Sequence, residues 1–171
     1  EHVDLYYRYE DIDQSRYELL IAVSFRLLEG LTIPCLYFRP PLLHLGVGCR
    51  HQASPEGVVA HILSDIRAKG YAPSAIATIN SIELKRGEPI LEELSQHLGK
   101  PCHFYSSDEL AAIEVPNPSE RVATATGSTS VSEASALAAS QGGLLIIEKQ
   151  KGCLTPQSDF TYSLAVAPEG L

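Results

Sequence analysis

The 171 residues contain neither methionine nor tryptophan. With Glu at position 1, the missing methionine reads as part of a longer chain. The four cysteines, Cys35, Cys49, Cys102 and Cys153, lie far apart without a C-x-x-C pair, which argues against a zinc site and leaves free intracellular thiols as the expectation. His44, His51, His61, His97 and His103 show no metal-ligand spacing either. No apolar run approaches the roughly 18 residues that a membrane helix needs, and no signal peptide opens the chain, so a cytoplasmic protein with no membrane attachment is expected. Basic residues are scarce: 13 Lys and Arg stand against 21 Asp and Glu, for a formal net charge of −8. That balance argues against nucleic-acid binding, whose non-specific affinity comes from basic side chains neutralising phosphates. Nucleotide fingerprints are missing as well. Gly46-Val47-Gly48 is not followed by the third glycine of the dinucleotide pattern, and no Gly-Lys-Ser/Thr occurs.

What is present is the composition of an ordinary α/β domain, 44% hydrophobic and 20% charged, in a chain long enough for one well-filled core. Residues 1 to 41 differ in texture, with most of the tyrosines and an acidic cluster at Glu10, Asp11 and Asp13. The spacing of Tyr17, Leu20, Ile21, Ser24 and Leu28 favours a helix, with a strand at Ile21-Ala22-Val23 as the alternative. A short strand follows at Cys35 to Phe38, and Arg39-Pro40-Pro41 makes a stiff connector. The expected division is therefore residues 1–41 as the tail of a preceding domain with its connector, and 42–171 as an α/β domain.

From Leu42 strands and helices alternate. Leu42 to Val47 reads as a strand entering a two-glycine turn, Gly46 to Arg50, and Ser54-Pro55 as the start of a helix running to Lys69. Ile76 to Ile82 is a strand, Pro89 to Leu98 a helix closed by Gly99, and Cys102 to Tyr105 a third strand. Ser106 with Glu109, and Asn117 with Glu120, have capping-box spacing. An alanine-rich helix, Val131 to Ser140, leads to a strand at Leu144 to Glu148, a mobile loop from Gln150 to Asp159, and a last strand from Phe160 to Ala167 that pairs antiparallel with its predecessor. The fold class is α/β, three-layer, with a mixed, mostly parallel sheet and helices on both faces.

In such sheets functional residues collect beyond strand ends and at helix N-termini. Four places qualify: Gly46 to Arg50, Lys85 to Glu88, Gly127 to Glu133, and Lys149 with Lys151. Each also has a plain structural explanation. The glycine turn is an anion cradle or an ordinary βα turn. Lys85 can be a solvated loop charge, and Glu88 can cap the helix that Pro89 opens. Ser130 and Glu133 have capping-box spacing, and Gly127 to Ser130 either surrounds an anion or is simply a Gly/Ser loop. Lys149 and Lys151 point the same way in an extended segment and form a positive patch. Cys49 is a nucleophile only if exposed beside Arg50; otherwise it is a buried inert thiol.

In order, Arg39-Pro40-Pro41, Gly46-x-Gly48-Cys49-Arg50, Lys85-x-x-Glu88, Pro116-Asn117-Pro118-Ser119, Gly127-x-x-x-Val131-x-Glu133-Ala134-x-Ala136 and Lys149-x-Lys151 resemble the C-terminal domain of the cobalamin-biosynthesis protein CbiG, to which the stand-alone protein CobE is similar. The resemblance covers about residues 42 to 167, and residues 1 to 41 look like the tail of the CbiG middle domain. Two positions depart from the pattern: His51-Gln52 replaces a basic residue and a glycine, and Ala167-Pro168-Glu169 replaces a basic strand end.

The resemblance implies part of a cobalt-precorrin-5A hydrolase, which opens the ring-A lactone and releases acetaldehyde. The ligand is an anionic tetrapyrrole, a corrinoid intermediate. No cofactor is expected, since cobalt belongs to the substrate, and other enzymes of the pathway are expected partners. Opening the lactone needs donors for an oxyanion and an acid/base group. The resemblance puts Glu133 or Glu88 in the acid/base role. It puts Gly46, Gly48, Cys49, Arg50, Lys85, Gly127, Ser128, Lys149 and Lys151 in contact with substrate. The rival expectations are a non-catalytic corrinoid-binding or hand-over module like CobE, and an interaction domain without a small-molecule site.

Overall fold

The computed structural model describes residues 2–119 and 130–170. Its first regular elements correct the helix expected between Tyr17 and Leu28. Strand β1 (Leu20–Val23) pairs in parallel with β2 (Cys35–Phe38), with Ile21 opposite Leu36 and Val23 opposite Phe38. The branched side chains of Ile21 and Val23 suit a pleated ribbon better than a helix, and a partner strand is available only because the chain turns back before Pro34, whose carbonyl accepts the Leu20 N–H at 2.9 Å. Beyond β1 the chain joins the main body: the Leu27 N–H donates to the Gly70 carbonyl, the Ala72 N–H donates to the Phe25 carbonyl, and the Phe25 ring is buried in the main core.

The main sheet is built around β3 (Leu43–Cys49), where Leu43, Leu45 and Val47 alternate and are fully buried. One edge of β3 pairs in parallel with β4 (Ile76–Ile82), which pairs in parallel with β5 (Cys102–Tyr105). The other edge pairs antiparallel with β7 (Asp159–Val166), which in turn pairs antiparallel with β6 (Leu144–Cys153). The order is β5-β4-β3-β7-β6, so β7 alone runs against the rest. This is the expected three-layer α/β fold with a mixed, mostly parallel sheet.

Helices α1 (Val58–Ala68) and α2 (Pro89–Leu98) cover the face carrying Leu43, Leu45 and Val47. Val58, Val59, Ile62, Leu63 and Ile66 of α1, with Ile90, Leu91 and Leu94 of α2, form its apolar stripes. Each such side chain contributes about 1.5–3 kcal/mol on burial. Helix α1 starts at Val58, after a turn in which the Val58 N–H reaches the Pro55 carbonyl, rather than at Pro55. The short α3 (Ser107–Ala111) opens with the capping box read from Ser106 and Glu109. Glu120, expected to pair with Asn117, lies outside the described residues. Among the described residues no helix is long and apolar enough to cross a membrane.

Helix α4 (Val131–Ser140) covers the opposite face and is packed through small residues. Gly46 is not in a turn. It lies within β3 directly under α4, where a Cβ would sit 1.9 Å from the Ser132 carbonyl oxygen. Hydroxyls fill what remains of the interface: Ser132 Oγ lies 3.0 Å from Ser163 Oγ, and Ser135 Oγ donates to the Asn80 carbonyl at 3.1 Å. At the other side of the sheet β6 continues to Cys153 in place of the loop expected from Gln150. Only a tight connection is left, in which the Thr155 N–H donates to Ser158 Oγ at 2.7 Å.

Candidate functional site

Because β3, β4 and β6 run in one direction, their C-terminal ends share one edge of the sheet with the start of β7 and the N-terminus of α4. A cleft of about 790 Å³ opens there. Gly48, Cys49 and Arg50 come from the end of β3, Lys85 from the β4–α2 connection, and Lys149, Lys151, Gly152 and Cys153 from β6. Asp159, Phe160 and Thr161 of β7, Ser130 and Val131 of α4, and Ser119 complete the described wall. Four cations, Arg50, Lys85, Lys149 and Lys151, thus converge from three parts of an acidic chain, and Asp159 is the one carboxylate among the described lining residues.

The two glutamates expected as acid/base groups are internal. Glu133 is fully buried. One of its oxygens accepts from the Lys149 N–H at 3.0 Å and from Asn117 Nδ2 at 2.8 Å, and the other accepts from the Asn117 N–H at 3.2 Å. Ser130 makes no side-chain cap on α4, so the capping box read at Ser130 and Glu133 is replaced by a tie between α4, β6 and the Asn117 segment. Glu88, 2% exposed, likewise makes no cap on α2. Its carboxylate accepts from the Gln52 N–H at 2.6 Å and lies 2.8 Å from His51 Nδ1, which fixes the loop after β3 in a turn where Gln52 takes the left-handed φ of 52°. Lys85 Nζ stands 3.7 Å from the same carboxylate and reaches the cleft.

The other expected site residues fall into three groups. Gly48, Cys49, Arg50, Lys85, Lys149 and Lys151 line the cleft. Gly46 serves helix packing instead, and Gly127 and Ser128 lie outside the described residues. The exposed Arg50 donates through Nη1 to the Pro156 carbonyl at 3.3 Å, and Lys149 Nζ donates to the Asn117 carbonyl. Burial lowers the Lys149 ammonium below its ordinary range, Glu133 opposes that shift, and Lys151 adds to it.

Residues 43–165 match the family described as cobalamin synthesis G C-terminus. The chain belongs to this CbiG C-terminal family. A cobalt-precorrin-5A hydrolase from Priestia megaterium is 29% identical over 131 residues, which are 77% of this chain and 34% of that protein. The protein CobE from a Sinorhizobium species is 33% identical over 110 residues, 63% of this chain and 71% of its own length. The crystal structure of a CobE, a protein from the cobalamin (vitamin B12) biosynthetic pathway, superposes with a TM-score of 0.65 at 30% identity, covering 73% of this chain and 89% of that one. The chain therefore spans about a third of the hydrolase it matches and most of CobE.

Within this member of the CbiG C-terminal family, sequence reasoning passed over Asn117 as the tie between α4 and β6 beside the cleft. Its amide bridges Glu133 and Glu148, and Pro116 and Pro118 on either side restrict its backbone. The Pro-Asn-Pro signal was visible, but the partners that explain it come from distant elements. Asp159 and Thr161 carried no local signal, whereas Ser130 was visible as the end of the Gly127 to Ser130 stretch. Cys49 is partly buried, and that burial pushes its thiol up from about 9 to about 11 against the pull of Lys85. Because the folded state favours the neutral thiol, this contribution to stability is complete below about pH 9 and is lost as pH rises through about 11. Thiol labelling at pH 8 is expected to modify the exposed Cys153 within minutes and to spare Cys49 until the protein unfolds. Equal labelling of both in the folded protein would contradict this.

Proposed function

We propose that the cleft binds an anionic corrinoid intermediate of cobalamin synthesis, and that the chain does so as part of a cobalt-precorrin-5A hydrolase. The observation that carries the reading is the set of four cations around one cleft in a chain of formal charge −8. A corrinoid precursor presents several carboxylates around a large apolar ring. The cleft offers the matching combination, with four cations and the apolar Val131, Gly48 and Gly152 among its lining residues. Pockets of this size hold ligands largely by apolar contact and orient them by a few charged groups.

In the hydrolysis, water adds to the lactone carbonyl and the oxyanion needs donors. Lys85 and Lys149 are the cations held closest to the protein body, and either can stabilise that charge. Glu133 and Glu88 keep the walls in place: among the described residues, every side-chain hydrogen bond they make is to another loop or strand. On this reading binding belongs to this chain, and Glu133 and Glu88 serve it by holding the walls of the cleft.

The test is titration of the 171-residue chain with dicyanocobyrinic acid, a corrinoid heptacarboxylate, and with its heptamethyl ester, followed by absorbance. The acid is expected to bind and the ester to bind at least about tenfold more weakly, with Lys85→Ala costing about tenfold for the acid alone, as for a lost hydrogen bond to a charged group. Equal binding of acid and ester, or of neither, would overturn the reading. Anaerobic incubation with cobalt-precorrin-5A, with acetaldehyde trapped, then separates a binding part from a self-sufficient hydrolase.

A further inference from the structure

We infer that Ser130 and the N-terminus of α4 form a dedicated subsite for one carboxylate of the ligand, a proposal that rests on the reading of the cleft as an anion-binding site. Ser130 lines the cleft and is 1% exposed, yet its Oγ has no hydrogen-bond partner among the described residues. A buried hydroxyl without a partner costs about 1–3 kcal/mol, so its retention in the wall of a cleft calls for an external acceptor. The neighbouring polar side chains are already committed. Ser132 Oγ meets Ser163, Ser135 Oγ meets the Asn80 carbonyl, and Glu133 is taken by Asn117 and Lys149.

The backbone supplies the second half of the subsite. Ser130 is the N-cap of a ten-residue helix, its side chain caps nothing, and the first intrahelical bond runs from the Ala134 N–H to the Ser130 carbonyl. The preceding N–H groups of α4 are the orphan donors that every α-helix leaves at its start, and the helix dipole adds partial positive charge there. An anion at this end of the cleft receives the Ser130 O–H, the helix N-terminus and the field of Lys149 together. A carboxylate fits better than a neutral carbonyl, because it accepts from several donors at once and answers the positive charge. The subsite would therefore fix which peripheral carboxylate of the macrocycle enters first, and with it the ring's orientation.

The experiment is Ser130→Ala in the 171-residue chain, read by titration with dicyanocobyrinic acid and its heptamethyl ester and by urea unfolding, with Lys85→Ala as the companion variant. Ser130→Ala is expected to bind the acid about five- to tenfold more weakly, to narrow the preference for acid over ester, and to unfold at the same or a higher urea concentration. If Ser130→Ala binds the acid as the parent does while Lys85→Ala weakens it, the subsite is overturned and the cleft remains the binding site. Unaltered binding in both variants overturns the subsite together with the reading of the cleft. A lower unfolding midpoint for Ser130→Ala would show that the hydroxyl is satisfied within the fold, which also overturns the subsite.

Discussion

Replacing Glu133 by alanine is expected to destabilise the protein by about 3 kcal/mol, within the range for breaking a buried charged group's hydrogen bonds. The carboxylate is fully buried and accepts from the Asn117 N–H, from Asn117 Nδ2 and from the Lys149 N–H. Truncation leaves two backbone donors without their acceptor and releases the Asn117 segment and β6 from α4. The Asn117 amide keeps Glu148, 2.9 Å away, as a second acceptor, which limits the loss. Glu133→Gln recovers little, because all three contacts demand an acceptor and the new amide presents its own N–H groups to at least one of them. Urea unfolding checks this: with an m-value of about 2 kcal/mol/M, the midpoint should fall by roughly 1.5 M. An alanine variant as stable as the parent but unable to support lactone opening would restore Glu133 to the chemistry.

Gly46→Ala is expected to be at least as damaging, by about 3 kcal/mol or through failure to accumulate as soluble protein, since the overlap exceeds what overpacked cores usually absorb. The new Cβ would lie 1.9 Å from the Ser132 carbonyl oxygen and 2.9 Å from both the nitrogen and the Cβ of Ala136. Two of these atoms are helix backbone and cannot rotate away, so α4 must lift off the sheet. Gly48→Ala is the instructive contrast. Its Cβ would meet the Thr161 Oγ1 at 2.7 Å, a side-chain atom that can turn, and then Val131 at 3.6 Å. That variant should cost about 1 kcal/mol in stability and act mainly by filling the wall of the cleft. Thermal melts of the two variants side by side decide the matter, and equal midpoints would refute the distinction.

These two glycines also show where the sequence was legible. Spaced as Gly-x-Gly before a charged residue, they read as a turn, and nothing nearby reveals that a helix much later in the chain will lie against one of them. Strand β4, helix α2 and strand β5 were readable to the residue because their signals are local, with Pro89 opening the helix and a left-handed Gly99 closing it. The segment from Tyr17 to Leu28 misled because apolar spacing alone does not separate a short helix from a strand, and the deciding partner, β2, is supplied by the return of the chain. In the cleft, Arg50, Lys85, Lys149 and Lys151 were legible as charges following apolar runs, since parallel topology carries such positions to one edge. Glu88 and Glu133 were misread as helix caps for a single reason. Each stands at the spacing of a helix cap, while the groups that take its oxygens belong to other loops and strands.

The contrast between the two helical layers has a thermal consequence. The α1 and α2 side is sealed by valine, isoleucine and leucine, whose burial derives little enthalpy near room temperature and weakens on cooling. The α4 side, with its glycine, alanines and paired serine hydroxyls, depends less on that force and more on contacts whose strength does not fade in the cold. Chilling should therefore loosen the α1 and α2 layer first. The wall that holds Ser130 would keep its form at temperatures where overall stability has already begun to decline.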